Sequence, residues 1–153
     1  MIKQNGQMMN IPFYSTRKFH KKYLKVTAFV VGSFGPIFFL ATMLHFSEPA
    51  RWSLDVLAWP VDGVQTYSEP TTRFLSALTG GFLFGWGMTI LLLSNWVYDK
   101  APDQVRKVVL IGLISWFVLD SAGSIASGNT SNAFFNVIVL LFAVGPLWLP
   151  AKD

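Results

Sequence analysis

An all-α membrane fold, a bundle of four transmembrane helices, is predicted by three observations. Four apolar runs, at Val26–Phe46, Phe74–Tyr98, Val108–Ser127 and Asn132–Leu149, fill more than half of the 153 residues. Composition is 52% hydrophobic and only 13% charged, outside the usual range of a water-soluble domain. Basic residues alternate in number between successive connections, as the orientation of membrane spans requires. A helix needs about 20 residues at 1.5 Å each to cross a hydrocarbon core of roughly 30 Å, and every run has that length. Amphipathic helices of a soluble fold would show a polar face at 3.6-residue spacing, and Val108–Leu119 shows none.

Residues 1–25 form a basic flank carrying Lys3, Arg17, Lys18, Lys21, Lys22 and Lys25, half of the twelve Lys and Arg. Residues 1–15 have no periodicity and are expected to be mobile. The stretch 17–25 should lie along an anionic leaflet with Phe19, Tyr23 and Leu24 dipping into the interface. A cleaved leader fits poorly. The flank and the run after it are both long for one, and Thr42-Met-Leu-His-Phe46 offers no Ala-x-Ala pattern. A retained signal anchor is expected.

The 47–73 connection carries Arg51 and Arg73, the 99–107 connection carries Lys100, Arg106 and Lys107, the 128–131 turn has no basic residue, and the 150–153 tail has Lys152. Both termini are therefore expected on the cytoplasmic side. Within the long first connection, Trp52, Val56 and Trp59 recur at helical spacing opposite Ser53 and Asp55, between Pro49 and Pro60. A short helix in the interface plane follows, either capping the bundle or acting as a lid. Short later connections make spans two, three and four antiparallel neighbours. No internal repeat of the inverted-transporter kind is present.

In span two, Ala77, Gly81, Gly85 and Thr89 repeat every four residues, with Ser76, Gly80 and Gly87 nearby. Lipid gives helices no hydrophobic push together, so small residues that permit close backbone approach mark contact faces. The Ala77–Thr89 stripe is expected to pack against a neighbouring helix, a second copy of the chain or a partner subunit.

Asp120 is the only Asp, Glu, Lys or Arg inside the four runs. A charged Asp at mid-span costs about 2.5–3.5 kcal/mol on insertion scales, so it should face protein and find donors. Residues expected at similar depth are His45, Arg73, Ser76, Thr79, Ser124, Asn132 and Asn136, and an Asp120–Arg73 pair supported by Asn136 is the expected arrangement. Such a cluster is either a polar staple between helices or a proton-relay or ligand site.

The exclusions are also informative. Without cysteine there is no disulfide, thiolate centre or thiol chemistry. His45 and His20 lie far apart, and no metal site, catalytic constellation or phosphate loop is identified. The glycines at 80–87 sit within a span and cannot form a dinucleotide turn. The net charge of +4 reflects the membrane flank, so no nucleic-acid partner is expected. Asn129-Thr-Ser131 matches a glycosylation acceptor but lies too near the bilayer for easy modification. Trp52, Trp59, Trp96 and Trp148 fall at predicted interfaces, whereas Trp86 and Trp116 lie deeper and could line a pocket.

Through Arg73-Phe-Leu-Ser76, Gly80-Gly-Phe-Leu-Phe-Gly85-Trp-Gly87, Leu119-Asp-Ser-Ala-Gly-Ser124 and Asn132-Ala-x-x-Asn136, the chain resembles small bacterial four-span membrane proteins, broadly DoxX-like. The resemblance covers about Val26–Trp148. It implies four helices with a Gly-rich second span and a polar third, in a bacterial inner membrane. Some relatives of that kind associate with quinone-linked oxidation, but no catalytic residue or cofactor carries over. Three function classes follow: a non-catalytic accessory or assembly component, a small carrier or proton-coupled transport subunit using Asp120, and a subunit of a quinone- or pigment-linked complex. Membrane lipids are the expected surroundings, with a partner subunit or homo-oligomer as possible company.

Overall fold

The computed structural model describes residues 16–152, so the expected mobility of residues 1–15 falls outside the described residues. The described chain is helical: α1 (Arg17–Leu40), α2 (Glu48–Ala58), α3 (Pro70–Leu92), α4 (Pro102–Ala126) and α5 (Thr130–Val144). A π-turn over Leu93–Val97 prolongs α3, and a 3-10 turn over Gly145–Trp148 prolongs α5. Four of these segments, Arg17–Leu40, Pro70–Val97, Pro102–Ala126 and Thr130–Trp148, are long and apolar enough to cross a membrane. Their outward surfaces carry Phe29, Phe82, Leu119 and Phe142, each about three-quarters exposed. Water would penalise such a surface and lipid would not.

All four long helices begin before the apolar runs expected for them, at Arg17, Pro70, Pro102 and Thr130. Helix α1 starts at Arg17 because the Thr16 hydroxyl accepts from the Phe19 amide at 3.3 Å, and Lys, Arg and Leu then propagate helix well. The 17–25 stretch is thus the first turns of α1, continuous with the apolar run that follows. Leu24 is fully buried and the Tyr23 hydroxyl donates to the Phe142 carbonyl. Prolines in the first turns of α3 and α4 set their starts at Pro70 and Pro102, where a missing N–H costs nothing. At the other end α1 stops at Leu40, and His45 belongs to a separate 3-10 turn, Leu44–Phe46.

Helix α1 packs along α3, and α4 along α5. Along α3 and the π-turn that prolongs it, the inward positions are Ser76, Gly80, Leu83, Gly87, Ile90 and Ser94, alternating four- and three-residue steps as in a left-handed helix pair. A Cβ on Gly87 would meet Gly32 Cα at 2.6 Å, and one on Gly80 would meet the Gly35 carbonyl at 2.7 Å. The backbones therefore touch. The two pairs join at the α1 N-terminal end, where Leu24, Ile90, Tyr98, Val105, Leu113 and Leu147 share one core.

The short helix of the first connection is present, over Glu48–Ala58, with Pro49 in its first turn. It lies across the opposite end of the molecule. Ala50 packs with Phe38, Ala41 and Tyr67, while the Leu57 carbonyl accepts from the Ser131 hydroxyl at 2.7 Å. So α2 ties the α1/α3 pair to the start of α5. Its Trp52 and Trp59 point away from the protein, each over 60% exposed, and Asp55 points in.

Candidate functional site

The site is set by how α4 ends. Gly128, at φ +84°, takes the left-handed conformation that a glycine adopts without penalty. The Asn129 amide then donates to the Ser124 carbonyl at 2.8 Å and the Gly128 amide to the Ile125 carbonyl at 3.1 Å, the paired closure of a Schellman motif. The Asn132 amide turns back onto the Asn129 carbonyl and starts α5. This tight turn fixes an antiparallel register in which Ser124 stands opposite Asn132 and Asp120 opposite Asn136.

Two side-chain amides converge on one carboxylate oxygen. Asn136 Nδ2 donates to Asp120 Oδ2 at 2.6 Å, and Asn132 Nδ2 donates to the same oxygen at 3.1 Å. Each amide has a second recipient: Asn136 reaches Ser121 Oγ at 3.2 Å and Asn132 reaches Ser124 Oγ at 2.7 Å. The Ser124 hydroxyl in turn donates to the Asp120 carbonyl at 2.7 Å. Asn136 and Ser124 are buried, whereas Asp120 is half-buried. Asp120 Oδ1 has no hydrogen-bond donor among the described residues.

Of the residues expected here, the structure brings together Asp120, Ser124, Asn132 and Asn136. It does not bring Arg73, and the Asp120–Arg73 pair is corrected. The Arg73 guanidinium caps the loop, donating to the Ser68 carbonyl at 3.1 Å and the Tyr67 carbonyl at 3.4 Å. Those free carbonyls sit beside it in sequence, and reaching across to α4 would forfeit them. Thr79 is exposed and donates to its own helix at the Leu75 carbonyl, and His45 is exposed in its turn. Ser76, also expected at this depth, instead donates to the Phe38 carbonyl at 2.8 Å across the α1/α3 seam.

The glycine stripe is corrected as a packing face within the chain. Gly81 and Gly85 have nothing within 4 Å of a Cβ, and Thr89 is exposed, so this side of α3 is open. The contacts expected of it belong to Gly80 and Gly87, one and two positions away. Every step of four residues drifts around a helix, and the 3.5-residue seam favours the alternating set.

One helical turn along α4 from Asp120, Trp116 meets Trp86 of α3 with ring centroids 6.2 Å apart and planes at 50°. The Trp86 indole also lies over Gly112, 3.8 Å from where a Cβ would stand. Glycine on α4 makes room for tryptophan on α3, and the pair fills the space between them beneath the polar cluster.

Two site residues had weak or no signal. Ser121 adjoins Asp120 and was legible only as a neighbour. Asp55 is 2% exposed, with Oδ2 accepting from Arg51 Nη1 at 3.2 Å and Oδ1 buried without a partner among the described residues. Helical spacing had put Asp55 on the polar side of α2, and nothing in the sequence marks that side as the inner one. Arg51 also clasps Glu48, whose carboxyl it holds below the usual value of 4.5 through their hydrogen bond. Compared with family models, curated proteins and solved structures, the chain finds no match.

Proposed function

We propose that the chain is a multi-pass membrane protein, non-catalytic, acting as an accessory or assembly component of a bacterial inner-membrane complex, with both termini cytoplasmic and α2 at the outer interface. The observation that carries this reading is the open side of α3. Gly81, Gly85 and Thr89 are exposed beside the half-buried Ala77, and among the described residues nothing lies within 4 Å of a Cβ placed on Gly81 or Gly85. In lipid a face without bulk is where another helix approaches closely. The DoxX-like likeness agrees with a four-span protein of this kind and carries no step of the reasoning.

The test is purification in mild detergent with mass analysis of what co-elutes, for the natural chain and for Gly85→Leu. A stoichiometric partner, or a second copy, is expected with the natural chain and lost with Gly85→Leu, whose own fold has free space at that point. A monomer without companions in both preparations refutes the assembly reading.

A second reading, a small carrier or proton-coupled transport subunit, is favoured by one feature of Asp120. Both amides occupy Oδ2, so Oδ1 is left to accept a donor or carry a proton. Intramembrane acids with an unfilled face are the groups that relays use. Reconstituted protein showing flux that Asp120→Asn abolishes supports this reading; flux unchanged by Asp120→Asn removes it.

A further inference from the structure

A groove of about 530 Å³ runs along the outward seam of α1 and α3, apart from the Asp120 cluster. Its floor is the backbone contact of Gly32 with Gly87, and its walls include Phe29 and Phe84, which stand 76% and 51% exposed. Pro36 lies at one end and the exposed Lys25 at the other. Among the described residues the only other polar side chain lining it, Ser33, donates to the Val30 carbonyl of its own helix at 2.8 Å. Nothing in the walls solicits a hydrophilic ligand, whereas the mouth presents a cation.

Length narrows the occupant. From Lys25 to Pro36 the helix rises about 16 Å at 1.5 Å per residue, close to half of a hydrocarbon core of roughly 30 Å. That is the depth of one leaflet. Lys18 and Lys22 are exposed on the same end of α1 as Lys25, and with Asp99 already paired to Lys21 they leave that end a surplus of positive charge that attracts an anion.

We propose that this groove seats one acyl chain of an anionic phospholipid, with Lys25 pairing the headgroup. The seat exists because Gly32 and Gly87 let the two helices touch, leaving a channel between the flanking phenylalanines that a bulkier pair of residues would fill. A free phosphate would satisfy Lys25 and leave the apolar channel empty, so the lipid is the occupant. The inference rests on the membrane reading above.

The experiment is native mass spectrometry of the full chain, extracted in detergent and exchanged against phosphatidylglycerol or phosphatidylcholine with identical acyl chains. One phosphatidylglycerol per chain is expected, retained about fivefold over phosphatidylcholine. Lys25→Gln should erase that preference, Lys22→Gln should keep it, and Ser33→Phe, which places a ring in the channel, should lose both lipids. Thermal unfolding of each variant in detergent is followed in parallel, and Lys25→Gln, at an exposed position, is expected to keep its fold. Equal retention of the two lipids, an equal effect of Lys22→Gln, or full retention by Ser33→Phe would overturn the proposal. Recovery of the protein without detergent would overturn the membrane reading itself and the lipid seat with it.

Discussion

Two amides on one carboxylate oxygen make Asp120 and Asn136 a coupled pair, and coupling is measurable. Asn136→Leu should destabilise the α4–α5 hairpin by about 1–3 kcal/mol, since the half-buried Asp120 carboxylate loses its shortest donor. The double-mutant cycle of Asp120→Leu with Asn136→Leu should return a coupling of about 0.5–2 kcal/mol in detergent unfolding. Strict additivity would mean that the hydrogen bond does not hold the hairpin. On α2, the ion pair of Arg51 with Glu48 makes a pH prediction. The folded-state value of Glu48 lies below 4.5, so its stabilising contribution is fully present above 4.5 and is lost as pH falls through the lowered value. Amide protection in α2, corrected for intrinsic exchange, should hold from neutral pH down to 4.5 and then decline, and Arg51→Gln should remove that step.

At the scale of elements, the α1/α3 seam and the α3 open side respond oppositely to the same change. Gly80→Ala and Gly87→Ala force a methyl against backbone atoms under 3 Å away and should cost about 1–3 kcal/mol each. Gly81→Ala and Gly85→Ala place the methyl in open space and should leave thermal stability of the isolated chain unchanged or slightly raised. Unfolding in detergent of all four variants checks this, and equal losses would contradict the assigned seam. The elements themselves were largely legible, because runs such as Phe74–Tyr98 are long and apolar enough to cross a membrane as helices. Which glycines pack was not, since Gly80, Gly81, Gly85 and Gly87 differ only in rotation around α3, and rotation is set by the partner helix. Asp120, Ser124, Asn132 and Asn136 could be gathered from depth alone. Arg73 could not be excluded in the same way, because depth says nothing of the loop carbonyls at Tyr67 and Ser68 that claim its guanidinium first.

For the molecule as a whole, two helix pairs share a core at one end and are bridged by α2 at the other, with Trp86 and Trp116 filling the space between α3 and α4. This places the Asp120 cluster near the α2 end and the basic turns of α1 at the opposite one. The starts of α1, α3 and α4 lay beyond what hydropathy marks, because the Thr16 cap and the prolines at 70 and 102 act on the backbone and not on apolar content. The account depends on this bundle sitting in a bilayer with its basic end inward. The chain has no cysteine, so single cysteines report their own surroundings without background. In intact cells, a membrane-impermeant maleimide should label Asp62→Cys and Asn129→Cys at once and Lys100→Cys and Lys152→Cys only after lysis. Labelling of Lys152→Cys in intact cells, or of all four positions in a detergent-free soluble fraction, would contradict it.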